Sequence, residues 1–323
     1  MEHGWDRAIV TGAAGFIGRH MVRFLRNQGI ETLGVDRAAT SVHTLAAHTS
    51  AYTSARGVPV DAPPVDAVVD LAVQGALAPY LERGTAIFHL AGSANVGASV
   101  RTPIPDFREN VFPTLHVLEA ARQGACPVLF SSSGSVYDAE AKLPFRERSP
   151  IRPSSPYGAA KAAGEAYCFA YYRSYGVDAR VARLFSVFGP GMGHFAIRDF
   201  CERLQDRPDT LTIRGDGGQT RDYLYVEDAV RALYRVLRGG EPGGVYNVAE
   251  GRGRTILSVA EAVATAMGPP VATVRADGKR CTSALYRMEA DTDKLTDLGF
   301  RPLVSFEEGI ARTVSRLREQ HSR

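Results

Sequence analysis

Short apolar runs alternate along this chain with longer segments in which apolar residues recur every three or four positions. Short apolar runs are typical of buried strands, and the wider spacing is typical of helices with one buried face. Because strand and helix follow each other in turn, the pattern predicts an α/β fold with a doubly wound parallel sheet. Strands are predicted at residues 7–11, 31–36, 65–71, 85–92, 127–130, 179–185 and 245–248, and helices from residue 16 and at 110–122, 156–175, 197–204, 226–238, 258–267 and 305–318.

The pattern changes after Phe185, where glycine-rich loops separate shorter segments. Residues 226–248 then return to a helix and a strand, which we expect to rejoin the main sheet. We therefore predict a larger domain of residues 1–185 plus about 219–250, and a smaller discontinuous domain of about 186–218 plus 251–323 that closes over the sheet. The polar residues between Asp36 and Pro64 are predicted to form a loop and a poorly defined helix.

The composition is that of an ordinary globular protein. Of 323 residues, 45% are hydrophobic and 23% are charged, with a formal net charge of +3. No lysine or arginine run indicates a nucleic-acid surface, no segment has the character of a signal peptide, and no apolar stretch reaches the ~20 residues of a membrane span. The cysteines are scattered without metal-binding spacing, so we expect reduced thiols, no metal site and a cytoplasmic location. They are Cys126, Cys168, Cys201 and Cys281.

The first predicted strand runs into a turn that contains three glycines spaced three apart. Gly12 permits the turn, Gly15 lets a pyrophosphate approach the backbone, and Gly18 lets the following helix pack closely on the sheet. Asp36 ends the second strand 18 residues beyond Gly18, near the spacing of the acid that binds a ribose 2′-hydroxyl. These residues predict a dinucleotide site. Its further members are predicted to be Phe16, Ile17, Asp70, Leu71, Leu90, Ala91 and Gly92.

Tyr157 and Lys161 lie four positions apart on a predicted helix and therefore share one face. A lysine ammonium beside a phenol favours the phenolate, so we expect Lys161 to lower the pKa of Tyr157 from about 10 toward working pH. Tyr157 would then act as a general base. Ser133 follows a predicted strand and can donate a hydrogen bond to the same substrate oxygen, so Ser133, Tyr157 and Lys161 are the candidate catalytic residues.

Five motifs occur in order along nearly the whole chain, and together they resemble those of one family. The motifs are TGAAGFIG at 11–18, HLAG at 89–92, SSSGSVY at 131–137, SPYGAAKAAGE at 155–165 and GDGGQTRDYLYVEDAV at 215–230. They resemble the extended short-chain dehydrogenase/reductases, specifically the NAD-dependent nucleotide-sugar epimerase/dehydratase family. The resemblance implies a Rossmann-type domain with tightly bound NAD and a C-terminal domain for a nucleoside diphosphate (NDP) sugar. It also implies a homodimer packed through the helices that begin near Asn110 and Tyr157.

The resemblance also implies the role of each residue. Tyr157, helped by Ser133, would deprotonate the sugar 4-hydroxyl while hydride leaves C4 for the nicotinamide, and Lys161 would hold the nicotinamide ribose. Arg221 matches the position that grips the sugar-nucleotide diphosphate, with a surface ion pair as the alternative interpretation. The remaining predicted substrate contacts are Ser133, Ser186, Arg214 and Arg280, the last chosen from the basic group Arg275, Lys279 and Arg280 as a second phosphate contact.

Residues after the catalytic serine discriminate within the family. The 4,6-dehydratases carry an Asp-Glu pair there, whereas this chain has Gly134 and Ser135, so the resemblance favours 4-epimerisation of a UDP-hexose or UDP-uronate. Ser186 stands where hexose epimerases usually have asparagine, which leaves a uronate open. His194 matches no substrate pattern, and Asn110 resembles the family's structural asparagine.

Other activities stay open on the sequence alone. They are a 4,6-dehydratase, a decarboxylase and a 4-keto-sugar reductase. A reductase would need an exchangeable, phosphorylated cofactor, and the charge of Asp36 argues against a 2′-phosphate. A non-catalytic dinucleotide-binding sensor is a remote alternative, because Ser133, Tyr157 and Lys161 are all retained.

Overall fold

The computed structural model describes residues 4–37, 65–193, 195–269, 273–279 and 286–321. The loop and helix predicted between Asp36 and Pro64 lie almost entirely outside the described residues. His194, Arg280 and Cys281 also lie outside them, so their predicted roles stay predictions.

Twelve strands and nine α-helices form the described part of the chain. The strands are β1 (Arg7–Thr11), β2 (Glu31–Asp36), β3 (Ala67–Val68), β4 (Thr85–His89), β5 (Val128–Ser133), β6 (Ala179–Leu184), β7 (Ser186–Phe188), β8 (Thr210–Ile213), β9 (Thr220–Tyr225), β10 (Val245–Val248), β11 (Gly253–Thr255) and β12 (Thr273–Ala276). The helices are α1 (Phe16–Asn27), α2 (Val96–Arg101), α3 (Pro103–Gly124), α4 (Pro156–Tyr175), α5 (Ala196–Asp206), α6 (Val226–Gly239), α7 (Ile256–Met267), α8 (Asp293–Asp297) and α9 (Phe306–His321).

Seven strands make one parallel sheet in the order β10-β6-β5-β4-β1-β2-β3. This confirms the predicted α/β fold and the return of β10 to the main sheet. The chain runs outward from β1 in one direction through β2 and β3, then in the other from β4 to β10. The point between β1 and β4 where the order reverses is where open sheets of this kind bind ligands, beyond the carboxyl ends of the strands.

Successive side chains of β1 point to opposite faces of this sheet. Ala8 and Val10 face a core with α1 and α6, whereas Ile9 faces a core with α3 and α4. Every residue of β4, β5 and β6 is buried, as expected for central strands covered by helices on both faces.

A second, smaller set of elements has its own core. Strands β11, β9 and β7 form a three-stranded sheet and β12 pairs with β8. Apolar residues from this set and from α5, α7 and α9 form a core that includes Phe188, Phe200, Tyr223, Val259 and Phe306. The division of the chain into two domains stays a prediction.

Two predicted elements differ most in length from those of the structure. The strand expected at 65–71 is only β3, because it pairs at the edge of the sheet with Val35 and Asp36 alone, and the side chain of Val68 is 65% exposed. The helix expected from Asn110 begins at Pro103, which occupies a first-turn position where its missing N–H costs nothing. No helix in the described ranges is long and apolar enough to cross a membrane.

Candidate active site

Ser133 and Tyr157 come together where β5 ends and α4 begins. Ser133 closes β5, and its Oγ lies 3.0 Å from Ser135 Oγ and accepts the Ser135 N–H at 3.2 Å. Helix α4 has a proline at its first position and is capped by Ser155, whose Oγ accepts the Gly158 N–H at 3.1 Å. This cap fixes Tyr157 in the first turn. The phenol there has the Ser133 hydroxyl as a hydrogen-bond partner.

Lys161 lies one turn further along α4, with 5% of its surface exposed. Its Nζ is 5.9 Å from the centroid of the Tyr157 ring and 5.2 Å from that of Phe130. Burial lowers the pKa of Lys161 to about 8, and it raises the pKa of Tyr157 to about 12 against the effect of Ser133. For the chain alone, the expected lowering of the Tyr157 pKa is therefore wrong in sign, because a buried phenolate loses more hydration than its neighbours replace.

The glycine turn after β1 forms a cradle with no room for side chains. Gly12 has φ +72°, and a Cβ there would lie 2.8 Å from the backbone nitrogen of Ala91. A Cβ on Gly15 or Gly18 would lie 3.0 Å or 2.0 Å from the carbonyl oxygen of Gly12. The N-terminus of α1 therefore presents backbone N–H groups to a close-fitting anion such as a pyrophosphate.

Asp36 stands at the end of β2 beside this cradle. Its Oδ2 accepts the N–H of Ala14 at 2.9 Å, which holds the carboxylate against the glycine turn. A carboxylate in this place suits the two hydroxyls of an unphosphorylated ribose and repels a 2′-phosphate. The residues present thus fit NAD.

The other predicted cofactor residues lie after β4 beside the switch point, after the edge strand β3, and in the first turn of α1. Ala91 donates its N–H to Thr11 Oγ1 at 3.2 Å, and Gly92 has φ +146°. The carbonyl of Leu71 lies 2.8 Å from His116 Nδ1 on α3. Leu90 and Ile17 pack against the core on the α1 side, Phe16 packs against the smaller core, and Asp70 is exposed.

Of the predicted substrate residues, Ser133 ends a strand of the main sheet, whereas Ser186 and Arg221 lie in the three-stranded sheet. Ser186 begins β7 and pairs with Tyr223 of β9, the strand that also carries Arg221. Arg221 donates to the carbonyl of Thr220 at 2.7 Å and to that of Tyr286 at 3.4 Å. Arg214 is exposed just after β8, in a different sheet from Ser186 and Arg221. The structure thus places Ser186 and Arg221 on adjacent strands, and Arg280 lies outside the described residues.

A buried ion pair that the sequence reasoning missed supports the site. Glu165 on α4 and Arg183 on β6 are both nearly fully buried, and Arg183 donates Nε and Nη2 to the two carboxylate oxygens at 2.9 Å and 2.6 Å. Ser132, beside Ser133, donates to Glu165 Oε1 at 2.5 Å. Glu165 thereby joins the helix of Tyr157 to the strand of Ser133. Its position four residues after Lys161, on the same helix face, was the available signal.

A buried histidine, also missed, connects the cofactor turn to α3. Thr114 donates to the carbonyl of Asn110 at 2.7 Å, so its Oγ1 accepts from His89 Nε2 at 3.1 Å. His89 Nδ1 is then an acceptor for the Thr11 hydroxyl at 2.9 Å, which in turn accepts from Ala91. Burial lowers the pKa of His89 to about 3, so the imidazole is neutral and this chain of hydrogen bonds persists at physiological pH.

In the parts of the chain that the structure describes, no cluster of three or more histidine, cysteine or acidic side chains could hold a metal ion. The hydroxyls of Ser133 and Tyr157 and the ammonium of Lys161 lie at this end of the sheet. Such a set suits proton transfer at a hydroxyl group held beside a dinucleotide.

Comparison with known proteins gives consistent matches over nearly the whole chain. The family model described as "NAD dependent epimerase/dehydratase family" matches residues 8–249. A UDP-glucose 4-epimerase of Mycolicibacterium smegmatis is 36% identical over 97% of this chain and 99% of its own length. A dTDP-glucose 4,6-dehydratase of Streptomyces niveus is 32% identical over 98% and 94%. The crystal structure of Thermus thermophilus UDP-glucose 4-epimerase in complex with NAD has a TM-score of 0.79 and 34% identity, covering 97% of this chain and 99% of that one.

Proposed function

Because this chain belongs to the NAD-dependent epimerase/dehydratase family, we propose that it is a 4-epimerase of a nucleoside diphosphate sugar, a UDP-hexose or a UDP-uronate. The observation that carries the proposal is the pair of residues after Ser133. Gly134 and Ser135 offer no carboxylate for eliminating water. A Cβ on Gly134 would lie 3.0 Å from Met288 Cε and 3.2 Å from the Phe185 ring, so a larger side chain there would have to displace one of these neighbours.

The closeness of Ser133 and Tyr157 supports a role for both in oxidation at C4. Tyr157 acts on the 4-hydroxyl as the phenolate, so its pKa of about 12 in the chain alone has to fall when NAD and substrate bind. The positive charge of Lys161 acts in that direction, and Ser133 hydrogen-bonds the same hydroxyl oxygen. NAD, when bound, supplies the acceptor for the C4 hydride. Once the 4-keto sugar has rotated in the site and hydride returns to its other face, Tyr157 gives the proton back to the 4-oxygen. The reaction therefore needs no second acid. The positions of Ser133 and Tyr157 at one strand end support this use of a single base.

The two parts of the chain divide the work. Residues 1–185 plus about 219–250 bind NAD around Gly12, Gly15, Gly18 and Asp36, and about 186–218 plus 251–323 bind the sugar nucleotide together with Arg221, whose strand β9 belongs to the smaller sheet. Arg221 neutralises the diphosphate, for which a planar, permanently charged guanidinium is suited. A relative named as a UDP-glucose 4-epimerase supports the choice of a UDP-sugar.

A 4,6-dehydratase is the second candidate function, and one specific observation favours it. A relative with that printed activity is 32% identical over 98% of this chain. The absence of carboxylates at Gly134 and Ser135 opposes it, since elimination requires an acid for the leaving hydroxyl and a base for C5.

The proposal also includes a homodimer in the cytoplasm. Helices α3 and α4 carry aromatic side chains on their outer surface, with Phe107 46%, Phe112 43% and Tyr175 60% exposed. The rings of Phe107 and Phe112 pack edge to face with centroids 5.6 Å apart, so these two side chains form one apolar patch. Burying such a patch against a second copy of the chain is favourable. The described cysteines are free and buried, which suits a reducing compartment.

The deciding experiment is incubation in deuterated water with a panel of NDP-hexoses and NDP-uronates, followed by NMR and mass spectrometry. Inversion at C4 without deuterium uptake is expected, because hydride leaves and returns to the same carbon. Loss of water or carbon dioxide with deuterium uptake would replace the proposal with a dehydratase or a decarboxylase. Tyr157→Phe is the matched control: it should retain NAD and lose about 10²–10⁴-fold in turnover.

A further inference from the structure

Asp106 and Asn110 occupy successive turns at the start of α3, on the side that faces the catalytic helix α4. The two residues are 5% and 2% exposed. Asn110 Nδ2 donates to the Asp106 carbonyl at 3.1 Å and to Asp106 Oδ1 at 3.2 Å. Asp106 Oδ2 and Asn110 Oδ1 are buried and accept no hydrogen bond from any residue that the structure describes. A carboxylate in such a place needs a positive neighbour.

Burial raises the pKa of Asp106, and the positive charge of Lys161 opposes that rise. Lys161 Nζ and Asn110 Oδ1 both lie above Gly92, at 3.5 Å and 2.5 Å from the point that a Cβ on residue 92 would occupy. The charge of Asp106 acts on Lys161 and on Tyr157, both from α4. The other titratable groups near this pair are His89 of β4, which burial keeps neutral, and Glu109 of α3.

We propose that Asp106 is the counter-ion of the catalytic lysine, holding the buried ammonium of Lys161 in its charged form and thereby setting the pH range in which Tyr157 and Lys161 work together. Asp106 is a positioning residue in this account, since it acts through Lys161. A buried ammonium tends to lose its proton, and a nearby carboxylate opposes that loss. Burial and Asp106 act on the pKa of Lys161 in these opposite directions.

Asp106 also lies in the first turn of α3, where a carboxylate stabilises a helix by interacting with its dipole. That role alone would make Asp106→Asn less stable and leave the titration of Lys161 unchanged. The counter-ion role instead predicts that removing a negative charge lowers the pKa of every neighbouring group. Turnover requires Tyr157 deprotonated and Lys161 charged, so these two residues set the acidic and alkaline limbs of its pH profile. Both limbs should then move to lower pH.

The test exploits the scarcity of lysine in this chain, which has only Lys142, Lys161, Lys279 and Lys294. Protein labelled with ¹³C at the lysine ε-carbon is titrated by NMR, with the Lys161 signal assigned by its loss in Lys161→Arg. In Asp106→Asn, which keeps the oxygen that Asn110 binds, the pKa of Lys161 should fall by about one unit. In Asp106→Glu, which keeps the charge, the pKa of Lys161 should stay close to that of the unaltered protein.

The matched control is Glu109→Gln, three residues along the same helix. Glu109 is a partly exposed carboxylate paired with Arg37 at 2.9 Å, so its removal changes the net charge equally without touching the buried pair. It should leave the Lys161 titration nearly unchanged. An unshifted Lys161 in Asp106→Asn, or an equal shift in Glu109→Gln, would overturn the proposal.

A second readout is the pH dependence of turnover, and this arm alone rests on the proposed function. Asp106→Asn should move both limbs to lower pH by a similar amount. A uniform drop in rate with unmoved limbs would show a merely structural role. If no sugar nucleotide is turned over, the proposed function fails, while the NMR titration still decides the role of Asp106.

Discussion

At the scale of single residues, the three glycines of the first motif are required for three different structural reasons. Gly12 needs a positive φ, which few other residues adopt at low cost. Gly15 is exposed at the helix cap, where a ligand can approach. Gly18 has an ordinary helical backbone, yet it faces the Gly12 carbonyl more closely than any side chain allows. Gly18 is therefore required because α1 packs too closely on the glycine turn to leave space for a side chain.

We expect Gly18→Ala to destabilise the protein by roughly 3 kcal/mol and to reduce the NAD that it retains, because a Cβ at 2.0 Å from a backbone oxygen forces α1 away from the turn. Gly97→Ala is the control, since Gly97 is also helical but a Cβ there meets nothing closer than 3.6 Å. It should stabilise by up to about 1 kcal/mol. Urea unfolding and NAD content measure both effects. A Gly18→Ala protein as stable as the original would contradict this account of the turn.

The sequence predicted which side chains would meet at the site and missed what burial does to them. Tyr157 and Lys161 could be placed on one helix face from their spacing, and Ser133 from its position after a strand. The Tyr157 pKa was expected to fall and rises to about 12 instead. Burial depends on helices α2 and α3, which are distant in sequence and pack over α4, so spacing within one helix could not reveal it.

At the scale of elements, the periodicity located the helices and central strands well and their ends less well. Helix α4 begins at Pro156 and ends at Tyr175 as predicted, because a serine cap, a proline and a following glycine mark its ends. Strand β3 is short since only its neighbour β2 supports it. Arg183 was missed because an arginine within an apolar strand gives no periodic signal, and its partner Glu165 lies on another element.

The Glu165–Arg183 pair provides a test of how α4 is fastened to the sheet. Glu165→Gln should destabilise by about 3–5 kcal/mol, because it leaves the buried charge of Arg183 uncompensated. Replacing both residues by methionine should cost less than the single change, since no charge is then left buried. Urea denaturation measures the differences.

Glu119 provides the comparison for this test. It also binds an arginine, Arg122, at 2.6 Å, but that pair lies at the surface, so Glu119→Gln should change stability little. Equal effects of Glu119→Gln and Glu165→Gln would mean that burial of the pair is not what fastens the helix. A double variant less stable than Glu165→Gln would contradict the electrostatic reason given.

At the scale of the whole molecule, the sequence predicted the architecture because alternating strands and helices admit few arrangements. Ser133, Asp36 and the glycine turn lie at or after the ends of parallel strands, so their meeting at one edge was predictable, whereas Tyr157 and Lys161 come from helix α4. The substrate residues were harder to place. Ser186 and Arg221 lie in one small sheet and Arg214 follows a strand of another, and the pairing of these strands between distant segments leaves no regular pattern in the chain.

The outer surface of α3 and α4 provides the last prediction, which concerns assembly. If a second copy covers this surface, the protein should have twice the mass of one chain in light scattering or sedimentation. Phe112→Asp should shift it toward monomer, because the new charge would be buried at the contact without a partner. Leu303→Asp is the control: Leu303 is 72% exposed and lies outside α3 and α4. A wild-type monomer at micromolar concentration, or equal effects of the two variants, would exclude this surface as the dimer contact.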